Sequence, residues 1–272
     1  MLPNIFNTEE IQKLRFDAEN IFKPDCLYIG DVDGNESGFA TRANIIERYP
    51  EFRWILKHSN FISTLKSLLG EDFVFLPEMS AQASAYGGWQ KDTGSQEAAG
   101  HFFQWDKGYL MLEAAIYLQN NDTSGGGLDV VPRSHTKPLI FFPVLNRIII
   151  KFIKPFIFFP VLNRIIIKFI NILKKIFRIT AYKNCLSLPS KNGDLVLFHF
   201  RIDHRASQPK HKSTPKVRKI ALFFACSANT NHVNKYIDFL HSRKDYVYLN
   251  DANLYGKEVL ELAKSNQINL AT

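Results

Sequence analysis

Apolar residues recur at helical spacing near the start of the chain and at strand-like spacing through most of its remaining length. Thr8 to Phe22 carries Ile11, Leu14, Ala18 and Ile21 or Phe22 on one face, and Asn7 with Glu10 three residues later forms a capping box, so a helix is expected. Asn44 to Lys57 predicts a second helical stretch, weakened by Pro50, and Ser59 to Leu69 a third, stopped at Gly70. After Asp72 the apolar runs become short. Phe73–Leu76, Glu113–Leu118, Leu128–Val131, Leu195–Phe200 and Val217–Cys226 read as strands, and Gly125-Gly126-Gly127 marks a turn before one of them. Leu254 to Lys264 returns to helical spacing. Helices leading into many short strands predict a mainly β sandwich or barrel with flanking helices, and antiparallel pairing, because helices do not alternate with the strands.

Residues 1–272 are read as one domain carrying an insertion at 137–183. Within it, Ile140–Ile153 recurs unchanged as Ile157–Ile170, a tandem repeat offset by seventeen residues. The insertion also explains the net charge of +8: it holds ten Lys and Arg and no acid, leaving 24 basic against 26 acidic side chains elsewhere. A basic excess confined to one greasy segment argues against a nucleic-acid partner. Charge-free runs of nine residues are too short to span a bilayer, which needs roughly 20. From Val161 the basic residues Arg164, Lys168, Lys175 and Arg178 share one helical stripe. A surface duplication without a role, a basic amphipathic helix on an anionic membrane, a lid over a site and a dimer interface are all open to residues 139–179. Scattered cysteines and no apparent signal peptide predict a cytoplasmic chain, with peripheral membrane contact one option.

The chemistry concentrates between Tyr86 and Ala228. Residues i and i+2 of a strand share a face, so a His-x-Asp pair at a strand end offers two ligands to one metal. A distal histidine then completes a facial triad on Fe(II), and an arginine on the next strand suits the far carboxylate of 2-oxoglutarate. Asp92, His204 and Arg218 occupy the corresponding places here, but Gln90 stands where the first histidine would be.

Several segments carry a family likeness in order and spacing. They are Gly88-Trp89-Gln90-Lys91-Asp92, Ile116–Asn120, Gly126–His135, Gly193–Phe198, Asp203-His204-Arg205 and Val217-Arg218. In these the chain resembles the phytanoyl-CoA dioxygenase family of Fe(II)/2-oxoglutarate-dependent oxygenases. The resemblance implies a double-stranded β-helix (jelly roll, cupin-like) and hydroxylation of an unactivated carbon, coupled to decarboxylation of 2-oxoglutarate to succinate. It assigns Asp92 and His204 as metal ligands and Arg218 as the residue binding the 2-oxoglutarate C5 carboxylate, with Ser207 or Tyr117 assisting. It makes His135 a turn residue.

Gln90 leaves three outcomes: a weak amide ligand or water in that position, replacement by another group such as His101, or a fold that has lost iron. Gln104-Trp105-Asp106 is a second Gln-x-Asp, His199 is expected to face away from Phe198 and Phe200, and Glu113 lacks a partner at useful spacing. The expected function is a dioxygenase acting on a small or lipid-like substrate, with Gln90 making the metal site atypical. The alternative is a catalytically silent jelly roll that binds a ligand or a membrane surface. Retention of Asp92 favours hydroxylation over halogenation, which needs a small residue there to seat the halide.

Overall fold

The computed structural model describes residues 1–23, 28, 31–33, 39–121, 126–136, 185–207, 218–243, 249 and 254–271. The repeat, the basic stripe and the rest of the 137–183 insertion lie outside the described residues. Among those described, no helix is long and apolar enough to cross a membrane.

The N-terminal helices form as their caps require. Helix α1 (Thr8–Ile21) has the full capping box: Glu10 N donates to Asn7 Oδ1, and Asn7 N donates to Glu10 Oε2. Pro50 splits the second stretch into a short α2 (Ile45–Arg48) and a 3-10 helix from Pro50 to Lys57, with the proline at its N-terminus, where no amide donor is needed. Helix α3 (Ser59–Leu69) comes next. Two further short helical turns, α4 (Gly94–Ala98) and Phe103–Trp105, precede the C-terminal helices α5 (Asn231–His241) and α6 (Lys257–Ser265).

Among the described residues ten strands make two sheets, here numbered β1 (Val32–Asp33), β2 (Ala40–Ala43), β3 (Val74–Ala83), β4 (Met111–Tyr117), β5 (Leu128–Val130), β6 (Leu186–Leu188), β7 (Leu195–His199), β8 (His204–Ala206), β9 (Ile220–Ser227) and β10 (Asn269–Leu270). The large sheet runs β1-β2-β3-β9-β4-β7, with β10 parallel to β3; the small one runs β6-β5-β8. All other pairings are antiparallel. This is the double-stranded β-helix with flanking helices. Strand β3 continues well past the predicted Leu76, and β2, β6, β8 and α5 lack sequence signals strong enough to predict.

Both faces of the large sheet are covered. Its outer face sends Phe75, Met79, Ala114, Ile116, Ile220, Leu222 and Phe224 into the helical layer, where they meet Leu14, Phe52, Phe61 and Leu65. Its inner face sends Ala115, Tyr117, Val196, Phe198 and Ala221 toward Leu128 and Val130 of the small sheet. Each buried Phe or Leu contributes roughly 1.5–3 kcal/mol, so the helical layer fixes the sheet and leaves the inner face free to carry polar groups.

The turn into β7 depends on one glycine. Gly193 sits at φ +93, and a Cβ there would lie 2.5 Å from the Phe6 carbonyl oxygen, whose own residue donates its amide to Gly193 O. Gly193→Ala is expected to destabilise the fold by about 2 kcal/mol, from the left-handed backbone and the clash together. Thermal unfolding checks it, and an unchanged melting temperature would count against this placement of the N-terminal arm.

Candidate active site

The segment carrying Gln90 and Asp92 is joined to β8 by a single bridge. Gln90 N donates to His204 O at 2.8 Å, and His204 N donates to Gln90 O at 2.9 Å, closing a loop of 114 residues. Asp92 N is held by Phe200 O at 3.2 Å. Gln90 and Asp92, two apart, therefore face the same way, while Lys91 between them points elsewhere. Its ammonium donates to Ser134 O at 2.9 Å and Arg201 O at 2.6 Å and lies 3.5 Å from Asp203 Oδ2. Lys91 staples the segment in place although burial pulls its pKa down.

Three side chains meet as a result. His204 Nε2 is 3.5 Å from Asp92 Oδ1 and 3.4 Å from Gln90 Nε2. His204 Nδ1 is 3.1 Å from Ile202 O, and a carbonyl only accepts, so Nδ1 is the donor there and Nε2 is the nitrogen turned toward Asp92. Phe198 packs on the ring at 4.8 Å. Burial pushes the Asp92 carboxyl above the usual carboxylate range, partly offset by His204, and Asp92 Oδ2 is buried with no hydrogen-bond partner. An imidazole nitrogen and a carboxylate with an unsatisfied oxygen, side by side, fit a cation between them. Gln90 can serve that point through Oε1, or it can occupy the imidazole lone pair by donating from Nε2. Among the described residues no three His, Cys, Asp or Glu side chains gather to hold a metal, so a third strong donor is what the site lacks.

The three residues line a cavity of about 830 Å³ between the sheets. Its walls alternate in character because each strand presents every second residue. Strand β3 contributes Glu78, Ser80 and Gln82, β4 contributes Glu113 and Tyr117, and Phe198 and Phe223 enter from β7 and β9.

The inner face of β9 decides the anionic end. Phe223 lines the cavity, and so does Lys219, which is only 5% exposed, while Ala221 between them packs in the inner apolar cluster. Arg218 falls on the opposite face, exposed, with its guanidinium 5.0 Å from the Phe22 ring. The structure thus does not bring Arg218 to the cavity; the cation that enters is its neighbour. Lys219 donates to the Ala85 carbonyl and lies 5.2 Å from the Tyr86 ring, and burial lowers its pKa to about 8. Gly126, at φ +83, lets the backbone pass its alkyl stem: a Cβ there would sit 2.6 Å from Lys219 Cδ.

Tyr117 lines the cavity and is buried, which raises its phenol pKa. Ser207 does not line it; its backbone pairs with Gly127 and Gly126 beside the cavity wall. His101 lies away from the cavity against Phe103 and Phe239, so it is not placed to replace Gln90. Gln104 is buried outside the cavity and Asp106 pairs with Lys235 at 2.8 Å. His199 stacks on His135 at 5.7 Å, on the far side of its strand from Phe198. Glu113, Glu78 and Lys219 were not singled out from the sequence as site residues. A charged residue at an alternating position inside an apolar strand was the available signal for Glu113.

No family model matches the chain, and no curated protein matches it. Solved structures do. The non-heme alpha-ketoglutarate-dependent epimerase SnoN of nogalamycin biosynthesis matches with a TM-score of 0.54 at 11% identity, over 84% of this chain and 77% of that one. A second structure of SnoN, at 12% identity and the same TM-score over 84% and 78%, is a complex with Fe3+, alpha-ketoglutarate and nogalamycin RO. HygX from Streptomyces hygroscopicus, with nickel and 2-oxoglutarate bound, matches with a TM-score of 0.51 at 12% identity over 84% and 82%. At these identities the likeness is one of fold.

Proposed function

We propose that the chain is an Fe(II)/2-oxoglutarate-dependent oxygenase that hydroxylates a small molecule, with Gln90 in place of one histidine ligand. The observation that carries this reading is the meeting of Asp92 Oδ1 and His204 Nε2 at 3.5 Å inside a cavity large enough for a cosubstrate and a substrate. Asp92 and His204 would hold the metal and Gln90 would give its amide oxygen. With 2-oxoglutarate and oxygen, iron supplies the oxidising power to break an unactivated C–H bond. The chain's own part is to place and shield. His204 is fixed in one tautomer by Ile202 O. Lys219 receives a carboxylate of 2-oxoglutarate as an ion pair, and Tyr117 stands ready to donate to it. Phe198 and Phe223 keep water from the reacting end.

The fold neighbours, which include an epimerase, support iron and 2-oxoglutarate in general. Hydroxylation rests on Asp92, which keeps a carboxylate where a halide would otherwise sit. The likeness to phytanoyl-CoA dioxygenases rests on the sequence motifs alone. An acyl substrate does not suit the polar wall of Glu78, Ser80, Gln82 and Glu113, and a polar small molecule does.

Gln90 also favours a second reading, a silent jelly-roll protein that binds a ligand. Anaerobic titration with Fe(II) and 2-oxoglutarate separates the two. The expected result is a weak metal-to-ligand charge-transfer band on the wild-type chain. If no band forms there but one forms with Gln90→His, the enzyme reading fails for this chain while the fold stands.

A further inference from the structure

Deep in the same cavity a carboxyl oxygen lacks any partner. Glu113 extends from β4 between Phe198 of β7 and Ala225 of β9, its cross-strand neighbours, and Glu113 Oε1 is shut off from solvent with no hydrogen bond. Ala115 and Ala225 beside it on the sheet are small. On the other side of Ala225 runs the stretch of β3 where the register shifts between Phe75 and Met79, and Glu78 leaves that stretch facing inward. Two strand spacings, about 10 Å, separate the two backbones, so both carboxylates can lean over Ala225 toward a common point. Tyr236 lines the cavity beside them and donates its hydroxyl to Glu78 Oε2.

We propose that Glu113 and Glu78, on either side of Ala225, seat a protonated amine of the substrate. An ammonium donates up to three hydrogen bonds; Glu113 Oε1 offers it an acceptor without a partner, and the Glu78 carboxylate lines the cavity beside it. Among the described residues, no cation lining the cavity bonds Glu113 Oε1. Lys219 donates to Ala85 O, and Arg243 donates to Ser95 Oγ at 3.1 Å with its guanidinium near Phe239; neither bonds Glu113 Oε1. A metal would need a third His, Cys, Asp or Glu, and among the described residues no such cluster forms. An unpaired buried carboxylate is costly. Burial first, then the charges of Asp92 and Glu78, accordingly hold Glu113 well above the usual carboxylate range until a cation arrives. Phe198, across from Glu113, and Phe223 offer the apolar body of an amine-bearing molecule a surface to lie on.

The inference rests on the oxygenase reading only in taking this cavity as the substrate's. The test therefore needs no turnover. The full-length chain is titrated calorimetrically with 2-phenylethylamine and with its neutral counterpart 2-phenylethanol. The amine is expected to bind at least tenfold more tightly. Glu113→Gln, close in shape to the native side chain, should erase the preference, and Glu78→Gln should reduce it severalfold. Equal affinities, no detectable binding of either compound, or a preference that survives both substitutions would each overturn the proposal. The Fe(II)–2-oxoglutarate band is read separately on the wild-type chain. If it is absent while the amine preference holds, the oxygenase reading fails and the amine seat stands.

Discussion

Lys219→Met is expected to weaken 2-oxoglutarate binding by on the order of 100-fold or more, whereas Arg218→Met leaves it within a factor of two. A buried, hydrogen-bonded charge pair loses about 2–5 kcal/mol when one partner is truncated, and each 1.4 kcal/mol is a factor of ten. Lys219 is the cation on the inner face of β9, while Arg218 lies outside against Phe22. Calorimetric titration of 2-oxoglutarate with Mn(II) present measures both variants; the reverse ranking would show that β9 is turned over. The same lysine sets a pH dependence. Its pKa is pulled down to about 8 by burial, so the ammonium is present below pH 8 and the free site loses it above. Binding a carboxylate favours the charged form and raises that pKa. Affinity should therefore be flat below pH 8 and fall up to about tenfold per pH unit above it, until the pKa of the bound state is reached. Folding carries the opposite sign. The unfolded chain holds this proton up to about 10.5, so Lys219 penalises folding most below pH 8 and the penalty fades as pH rises from 8 to 10.5.

Gln90→His should raise Fe(II) affinity by at least 10–100-fold, the range that even supporting residues of a metal site command. The backbone at position 90 is locked to His204 by two hydrogen bonds, so a histidine there starts from the same place and direction as the glutamine. It would add a third strong donor beside Asp92 and His204, replacing a neutral amide oxygen and giving a facial triad with open positions. The substitution also removes the amide N–H that lies 3.4 Å from His204 Nε2 and competes for its lone pair. Anaerobic Fe(II) titration measures the gain. An unchanged affinity would mean that position 90 does not aim at the point shared by Asp92 and His204.

The sequence by itself determined much of the frame. The Asn7–Glu10 capping box, Pro50 and the spacing of Ile11, Leu14 and Ala18 are local signals, and the helices obey them because caps and periodicity act within a few residues. The i, i+2 spacing of Gln90 and Asp92 was legible for the same reason, as was the Leu195–Phe200 run that forms β7, while His204 opens the separate strand β8. Tertiary structure alone decided what faces what. Strand β9 is buried on both faces, by helices outside and by the cavity inside, so Ile220, Ala221, Leu222 and Phe223 form an unbroken apolar run. Such a run does not say which of Arg218 and Lys219 points inward, and a slip of one residue exchanges them. Glu113 showed no partner in the sequence because the side chains around it come from β3, β7 and β9, far away along the chain and brought beside it only when the sheet closes.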